Sequence, residues 1–417
     1  MANDGDAGVT TAGRLETLQA EAAQYLIGSY GRWPVALERG EGAYVWDVDD
    51  KRYLDFSSGI AVTALGHSHP VIIEAMDAQS RKMLHCSNLF IIPEQVALAK
   101  LLVGNSQFAQ AFFCNSGAEA NEAAIKLARR FAQVVKGENR YEVITFSRSF
   151  HGRTLATVTA TAQPKYQEGF SPLPEGFRYV PFGDLEAVQG AVGPHTCAIL
   201  VEPIQGEGGV HAATPEFLKG LRDLCDEQGV LLLFDEVQTG VGRTGRLFAH
   251  EHYEGVVPDV MSLAKGLGGG VPIGAILITE KVVGTLVPGS HASTFGGNPF
   301  VSAVSRAVLG EILKPGFLAR VRDVGEFLSE RLRGLKKRQS AITAVRGIGF
   351  LQGIQFDPSV PAGRVAELAR DRGLLVVPAG DNTLRLLPPL TVGREEIIAA
   401  VTILNEVLSE LAAGAVA

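Results

Sequence analysis

Val230-Leu-Leu-Leu-Phe234, followed at once by Asp235-Glu236-Val237-Gln238, decides the fold. Five apolar residues in succession lack the alternation of a half-solvated strand. They read as a strand covered on both faces, with an acid where it ends. The same texture recurs in Tyr141–Phe146, Thr196–Val201, Asp259–Ala264 and Ile273–Ile278. Helical patterns separate these runs. Ala124, Leu127, Ala128 and Phe131 repeat at helical spacing, and Pro215–Glu227 opens with a proline suited to a first turn. Buried strands alternating with helices predict an α/β protein, its mostly parallel sheet sandwiched by helices.

Outward from that core the texture changes. After about residue 310, Val321, Val324, Leu328, Leu332 and Leu335 mark a long amphipathic helix. Strand character follows over Gly349–Phe356, then a helix around Gly363–Arg372, strands at Leu374–Val377 and Thr383–Leu387, and a last helix from near Arg394. This is a smaller α+β unit appended to the core. Near the start, Gly42–Asp47 and Lys51–Asp55 suggest a hairpin turning at Asp49-Asp50, and this N-terminal segment is assigned to the side of the C-terminal unit. The expected division is residues 1–70 as an N-terminal part of the small domain, 71–310 as the large domain, and 311–417 as the C-terminal small domain. A length of 417 residues accords with roughly two or three domains.

Composition narrows the function classes. The net charge of −7 and pI near 5.8 argue against nucleic acid or an anionic membrane as partner. No apolar run approaches the ~18 residues a membrane span needs. The N-terminal MANDGDAGVTTAG has neither a basic start nor an apolar core of a secretory signal and reads as a loose lead-in. Cys86, Cys114, Cys197 and Cys225 form no C-x-x-C pair, so reduced thiols in a cytoplasmic protein are expected.

Four stretches carry chemistry. Asn115-Ser-Gly-Ala-Glu-Ala-Asn121 opens a helix, and the free N–H groups at such a start suit a phosphate; Ser116-x-x-Glu119 is equally a plain capping box. Asp235 sits at the carboxyl end of a buried strand, where ligands of open α/β sheets bind, and could face a protonated ring nitrogen; it is equally a turn residue. Lys265 ends an apolar strand and enters the loop Gly266-Leu267-Gly268-Gly269-Gly270. Desolvation there would free its amine as a nucleophile, although most lysines at strand ends are solvated. In Ser149-Phe150-His151-Gly152-Arg153-Thr154, Phe150 could stack on an aromatic ring and Arg153 could grip a carboxylate; packing or a surface ion pair would explain both as well.

Other motifs weigh less. Gly240-Val-Gly-Arg-Thr-Gly245 matches the dinucleotide fingerprint in letters, but Asp235–Thr239 separate it from its strand, so it reads as a turn-rich loop. Gly66-His-Ser-His69 and His250-Glu-His252 lack the helical spacing of a zinc site.

The order of the motifs is more telling than any one of them. Asn115–Asn121, Phe150–Thr154, Val201-Glu-Pro-Ile-Gln-Gly-Glu-Gly-Gly209, Phe234–Gly240, Leu263–Gly266 and Ser293-Thr-Phe-Gly-Gly-Asn-Pro299 together resemble the class III aminotransferases that use pyridoxal 5′-phosphate (PLP). The likeness runs from about Tyr30 to near residue 408. Tyr30–Val35, Ser58–Val62 with Leu65-Gly-His67, and Ser87-Asn-Leu89 are similar to the branch acting on acetylornithine, whose ornithine, succinylornithine and carrier-bound-lysine relatives share most of these features.

The resemblance implies fold type I of the PLP-dependent transferases, with a seven-stranded-type sheet. It implies that Lys265 holds the cofactor covalently and shuttles a proton, and that Asp235 keeps the pyridine nitrogen protonated. Gln238 would meet the phenolic oxygen, Phe150 would stack on the ring, and Ser116, Gly117 and Ala118 would cradle the phosphate. Thr294 would reach the phosphate of a neighbouring subunit, which implies a homodimer with shared sites. Arg153 would bind the α-carboxylate of the amino donor, with Ser293 and Tyr30 also at the substrate. Glu207 and Arg385 resemble a switch pair: closed for the donor, open when Arg385 takes the α-carboxylate of glutamate or 2-oxoglutarate. The implied reaction converts N-acetylornithine and 2-oxoglutarate to N-acetylglutamate 5-semialdehyde and glutamate, in arginine biosynthesis. Two rivals are a dinucleotide-dependent oxidoreductase built on Gly240–Gly245 and a protein that holds PLP without turnover. No metal is expected, and the residues before about 14 have no assigned role.

Overall fold

In the computed structural model, which describes residues 13–414, helix Arg14–Tyr25 leads into an antiparallel meander, β1 (Leu37–Glu41), β2 (Tyr44–Asp47) and β3 (Arg52–Asp55). The lead-in read from the first twelve residues lies outside the described residues. Asp47 closes the β2–β3 turn: its Oδ1 accepts the N–H groups of Asp49 (3.0 Å) and Lys51 (2.9 Å). Asp50 takes the left-handed conformation (φ 58°) that aspartate tolerates in turns.

Seven strands form the large sheet: β4 (Gln110–Cys114), β5 (Glu142–Phe146), β6 (Phe177–Val180), β7 (Thr196–Val201), then, after the short hairpin β8 (Ile204–Gln205) and β9 (His211–Ala212), β10 (Leu231–Asp235), β11 (Val260–Leu263) and β12 (Gly274–Ile278). Their order is β4-β12-β11-β10-β7-β5-β6. All pairs among β6, β5, β7, β10 and β11 are parallel, and β12 runs antiparallel to β11 and β4. Every residue of β7 and β10 is buried, which is why both read as unbroken apolar runs. Helices Gly117–Arg130 and Pro215–Gln228 pack against these strands. Helix Pro299–Ile312 lies against helices Pro70–Ser80 and Pro93–Gly104.

The C-terminal part carries helix Phe317–Arg338, β13 (Ile342–Ile348), β14 (Leu351–Phe356), helix Ala362–Asp371, β15 (Leu374–Leu375), β16 (Val377–Ala379), β17 (Thr383–Leu386) and helix Arg394–Ala412. Helix Phe317–Arg338 buries Val321, Val324, Leu328, Leu332 and Leu335, each stabilising by about 1.5–3 kcal/mol relative to exposure. The expected single strand at Leu374–Val377 is two. β15 pairs parallel with β3, Leu374 opposite Leu54, whereas β16 pairs with β17. The N- and C-terminal segments therefore share a sheet. This arrangement places the β17 arginine, Arg385, above the carboxyl edge of the large sheet. No helix among the described residues is long and apolar enough to cross a membrane.

Candidate active site

The parallel strands deliver their chemistry to one edge. β10 ends at Asp235, β7 is followed by Glu202, β5 by Phe150 and His151, and β11 by Lys265. β4 ends at Cys114, so Asn115 and Ser116 enter the same space before helix Gly117–Arg130. Loops beyond strand carboxyl ends are where ligands of such sheets bind. Here they enclose a cavity of about 640 Å³. Tyr30, Ser116, Gly117, Ala118, Phe150, Arg153, Glu207, Asp235, Gln238 and Lys265, all expected from the sequence, line it. Arg385 joins through side-chain contacts. Ser293 and Thr294 do not line it.

Lys265 is presented by a strained backbone. Ala264 leaves β11 at φ −164°, ψ −142°, and Lys265 itself sits at φ 45°, a left-handed conformation unusual for lysine. The turn closes tightly, since a Cβ on Gly268 would lie 2.0 Å from the Val271 carbonyl oxygen. Burial lowers the Lys265 amine to about 8, helped by the positive charge of Arg385 and opposed by Asp235, Glu202 and Glu207. About a tenth of the amine is therefore neutral and nucleophilic at pH 7, far more than for a solvated lysine.

Asp235 is buried and held on both oxygens. Its Oδ1 accepts the Val237 N–H (3.0 Å). Its Oδ2 accepts from Asn121 Nδ2 (2.7 Å) and lies 2.8 Å from His151 Nδ1. Asn121 is fixed in turn: Ser262 Oγ donates to its Oδ1 (2.6 Å), and its amide also donates to the His151 carbonyl (2.8 Å). His151 Nε2 is buried without a partner among the described residues. Sequence reasoning gave Asn121 and His151 no role, although both fell inside quoted motifs. Glu202 was missed likewise. It lines the cavity, accepts the Phe150 N–H at 2.9 Å, and burial pushes its carboxyl up to about 7 against the pull of His151. Its place directly after a buried strand is the signal that singled out Asp235.

The helix start shows its capping role. Ser116 Oγ accepts the Glu119 N–H (3.2 Å), while the Glu119 carboxylate turns back to Asn115 Nδ2 (2.9 Å) and the Asn115 backbone N–H (2.5 Å). The first turn still faces the cavity. Gly117 permits this: a Cβ there would lie 2.7 Å from Val237 Cγ1. A Cβ on Gly152 would lie 2.7 Å from Ala118 Cβ. These two glycines thus let the walls around the helix start pack closely against each other.

At the other wall, the fully buried Arg385 donates from Nη2 to Glu207 Oε2 (2.9 Å) and from Nη1 to Gln238 Oε1 (2.9 Å). A buried guanidinium requires such partners. Gly206 makes room for Gln238, since a Cβ there would lie 2.1 Å from Gln238 Oε1. Arg153 is exposed at the mouth, its guanidinium 4.0 Å from the Tyr166 ring centroid and 5.3 Å from that of Phe150; no acid pairs with it among the described residues. Tyr30 is also exposed, with Arg32 over its ring.

Ser293 and Thr294 line a second cavity of about 920 Å³, with Ser87, Asn88 and Gln95. The expected proximity of Ser293 to Arg153 is therefore absent within one chain. Ser293 Oγ instead accepts from Asn115 Nδ2 (3.1 Å), so Asn115 stands between the two cavities. The Gly240–Gly245 segment is a run of turns packed against Leu318, Arg322 and Leu390. His67 bonds Asp55 (2.8 Å) and His250 bonds Glu236 (3.0 Å); no cluster of metal-ligating side chains occurs among the described residues.

A buried lysine amine and a buried carboxylate thus line one cavity at the carboxyl edge of a mostly parallel sheet, the architecture of an α/β enzyme. The chain belongs to the class-III aminotransferase family, whose model matches residues 28–408. An acetylornithine aminotransferase of Caldanaerobacter subterraneus is 50% identical over 388 residues, covering 93% of this chain and 98% of that protein. Among solved structures, the N-acetylornithine aminotransferase of Stenotrophomonas maltophilia superposes with a TM-score of 0.82 at 36% identity, over 95% of this chain and 99% of that one. The ornithine aminotransferase of Toxoplasma gondii, described with PLP at partial occupancy in its active site, gives 0.91 at 32% identity, over 95% and 94%.

Proposed function

We propose that this chain is a PLP-dependent transaminase that moves the distal amino group of N-acetylornithine to 2-oxoglutarate by a ping-pong route, giving N-acetylglutamate 5-semialdehyde and glutamate, a step of arginine biosynthesis. The residues fit the cofactor: Lys265 and Asp235 both line the cavity, a helix starts at its edge, and Gly117 lets that start approach Val237 closely. When bound, PLP supplies an electron sink for the substrate carbon that loses a proton.

The chain's own residues do the rest. Lys265 Nζ would hold the cofactor covalently and would accept and return the substrate proton, its neutral form favoured by burial. Asp235, oriented by Asn121 and His151, would hold a proton on the ring nitrogen. Ser116 and the N–H groups of Gly117 and Ala118 take the phosphate at the helix start. Phe150 would cover the ring, and Gln238 would meet the phenolic oxygen. Arg153 grips the donor α-carboxylate, a task suited to its planar fork.

The observation that carries the two-substrate reading is the Glu207–Arg385 pair at 2.9 Å. Closed, it hides a cation from a donor that reacts at its distal amine. Open, Arg385 takes the α-carboxylate of glutamate or 2-oxoglutarate, which react at the near end. Ser293 and Thr294, apart from the lysine cavity in their own chain, serve the site of a second copy, so the working unit is a homodimer. We further read residues 71–310 as the large domain, with 1–70 and 311–417 forming the small one. We place the protein in the cytoplasm, in keeping with its four unpaired cysteines.

Half-reaction rates for acetylornithine, ornithine and succinylornithine, followed by cofactor absorbance, test the reading. Acetylornithine is expected to give the highest kcat/KM. A clear preference for free ornithine would overturn the donor assignment.

A further inference from the structure

The segment around Glu207 is unusually constrained. Four non-glycine residues beside it hold left-handed backbone: Arg148 (φ 66°), Val210 (φ 57°), Asp381 (φ 54°) and Asn382 (φ 47°). Such conformations persist only where the surroundings enforce them, and they collect where geometry matters for function. The loop Gly206–Gly209 is packed between two walls without room for a methyl group. A Cβ on Gly208 would lie 2.6 Å from the Arg148 carbonyl oxygen, and one on Gly380 would lie 3.0 Å from the Gly208 carbonyl.

The turn between β16 and β17 touches Glu207 twice. Gly380 N–H donates to the Glu207 carbonyl at 2.8 Å. Five residues further on, Arg385 holds the Glu207 carboxylate. Between these contacts lies Asp381. Its Oδ2 is shared by Arg148 Nη1 and His211 Nε2, each at 2.8 Å. Arg148 lines one side of the Glu207 loop, and His211 is where the loop ends in β9. The turn itself is anchored: Asn382 Nδ2 donates to the Asp357 and Val360 carbonyls, both at 3.0 Å, and Arg346 Nη2 joins Gly209 O (2.9 Å) to Thr383 Oγ1 (3.2 Å).

We propose that Asp381 is a positioning residue that latches the Glu207 loop, through Arg148 and His211, so that the Glu207–Arg385 pair rests closed and the site is biased toward the amino donor. This rests on the switch reading above. Asp381 touches neither substrate nor cofactor; it sets how easily Glu207 leaves Arg385. Weakening the latch therefore penalises the donor half-reaction, which needs the closed pair, and spares or favours the glutamate half-reaction, which needs it open.

Asp381→Asn tests this in the holoenzyme. Asparagine keeps the size and the left-handed turn but loses the charge. Half-reaction kcat/KM values for acetylornithine and for glutamate are measured, alone and in a Glu207→Ala background. The ratio of donor to glutamate kcat/KM is expected to fall about threefold, the scale of partly exposed charge pairs. In the Glu207→Ala background the same substitution should leave the ratio unchanged, because the latch acts only through Glu207. An unchanged ratio in Asp381→Asn alone, equal losses in both half-reactions, or a shift that persists without Glu207 would each overturn the latch. If Glu207→Ala itself leaves the ratio unaltered, the switch reading fails and the latch falls with it.

Discussion

Removing the charge of Arg385 or of Asp235 should move the titration of Lys265 in opposite directions. In the cofactor-free protein the Lys265 amine lies at about 8 against an ordinary value of 10.5, held down first by burial and second by Arg385. That difference corresponds to about 3 kcal/mol of preference for the neutral amine. At pH 8 about half of the Lys265 amine would be neutral, compared with roughly one part in 300 for a free lysine. Trace acylation of the cofactor-free protein across pH 6.5–10.5, with the peptide carrying Lys265 quantified by mass spectrometry, reads this directly. Labelling should rise through about pH 8. Arg385→Gln takes away a nearby positive charge and should raise the midpoint. Asp235→Asn takes away a nearby negative charge that favours the ammonium form and should lower it. A midpoint at the value of a free lysine, or shifts of the same sign in both variants, would refute the electrostatic account of the site.

Three further outcomes follow from particular contacts. Gly206→Ala places a Cβ 2.1 Å from Gln238 Oε1 and forces that side chain off Arg385, so kcat/KM for glutamate should fall about tenfold; steady-state kinetics with no change would contradict it. Arg153→Ala should raise the donor KM by about tenfold or more, as expected for losing a charge-assisted contact of about 1.5–3 kcal/mol, and unchanged constants for both substrates would remove Arg153 from the substrate site. Leu332→Ala, at a fully buried position of helix Phe317–Arg338, should cost about 2–5 kcal/mol in chemical denaturation, and a loss below about 1 kcal/mol would show that the helix face is less tightly packed than its burial indicates.

The core of the fold was legible because its central strands are wholly buried. β7 and β10 carry no polar residue except at their ends, so burial writes itself as a continuous apolar run. Strands at the margins were not legible. β6, Phe-Arg-Tyr-Val, pairs on one side only and exposes Arg178 and Tyr179. β13 mixes Arg346 and Gly347 into its run and is only half-buried. The break at Val376 is tertiary in origin, because the two halves of that stretch pair with different sheets.

The site divides in the same way. Asp235 ends β10, Glu202 follows β7 directly and Lys265 lies just beyond β11, so the rule about strand carboxyl ends reaches all three, although the sequence reading invoked it for Asp235 alone. Asn121 and His151 approach Asp235 across 114 and 84 residues of sequence, and nothing local in their motifs announces a hydrogen bond over that distance. The latch at Asp381 joins residues as far apart as Arg148, 233 positions away, and emerges only when the turn is folded. Ser293 and Thr294 illustrate a different limit. The resemblance already assigned Thr294 to a neighbouring subunit, but the separation of Ser293 from Arg153 emerges only in the folded chain.

The covalent claim about Lys265 stands under everything else and is open to one direct measurement. The protein is saturated with PLP, reduced with borohydride, digested and mapped by mass spectrometry. A single phosphopyridoxyl group on the peptide containing Lys265 is the predicted result. A stable adduct on any other lysine, or none at all after saturation, would contradict the account.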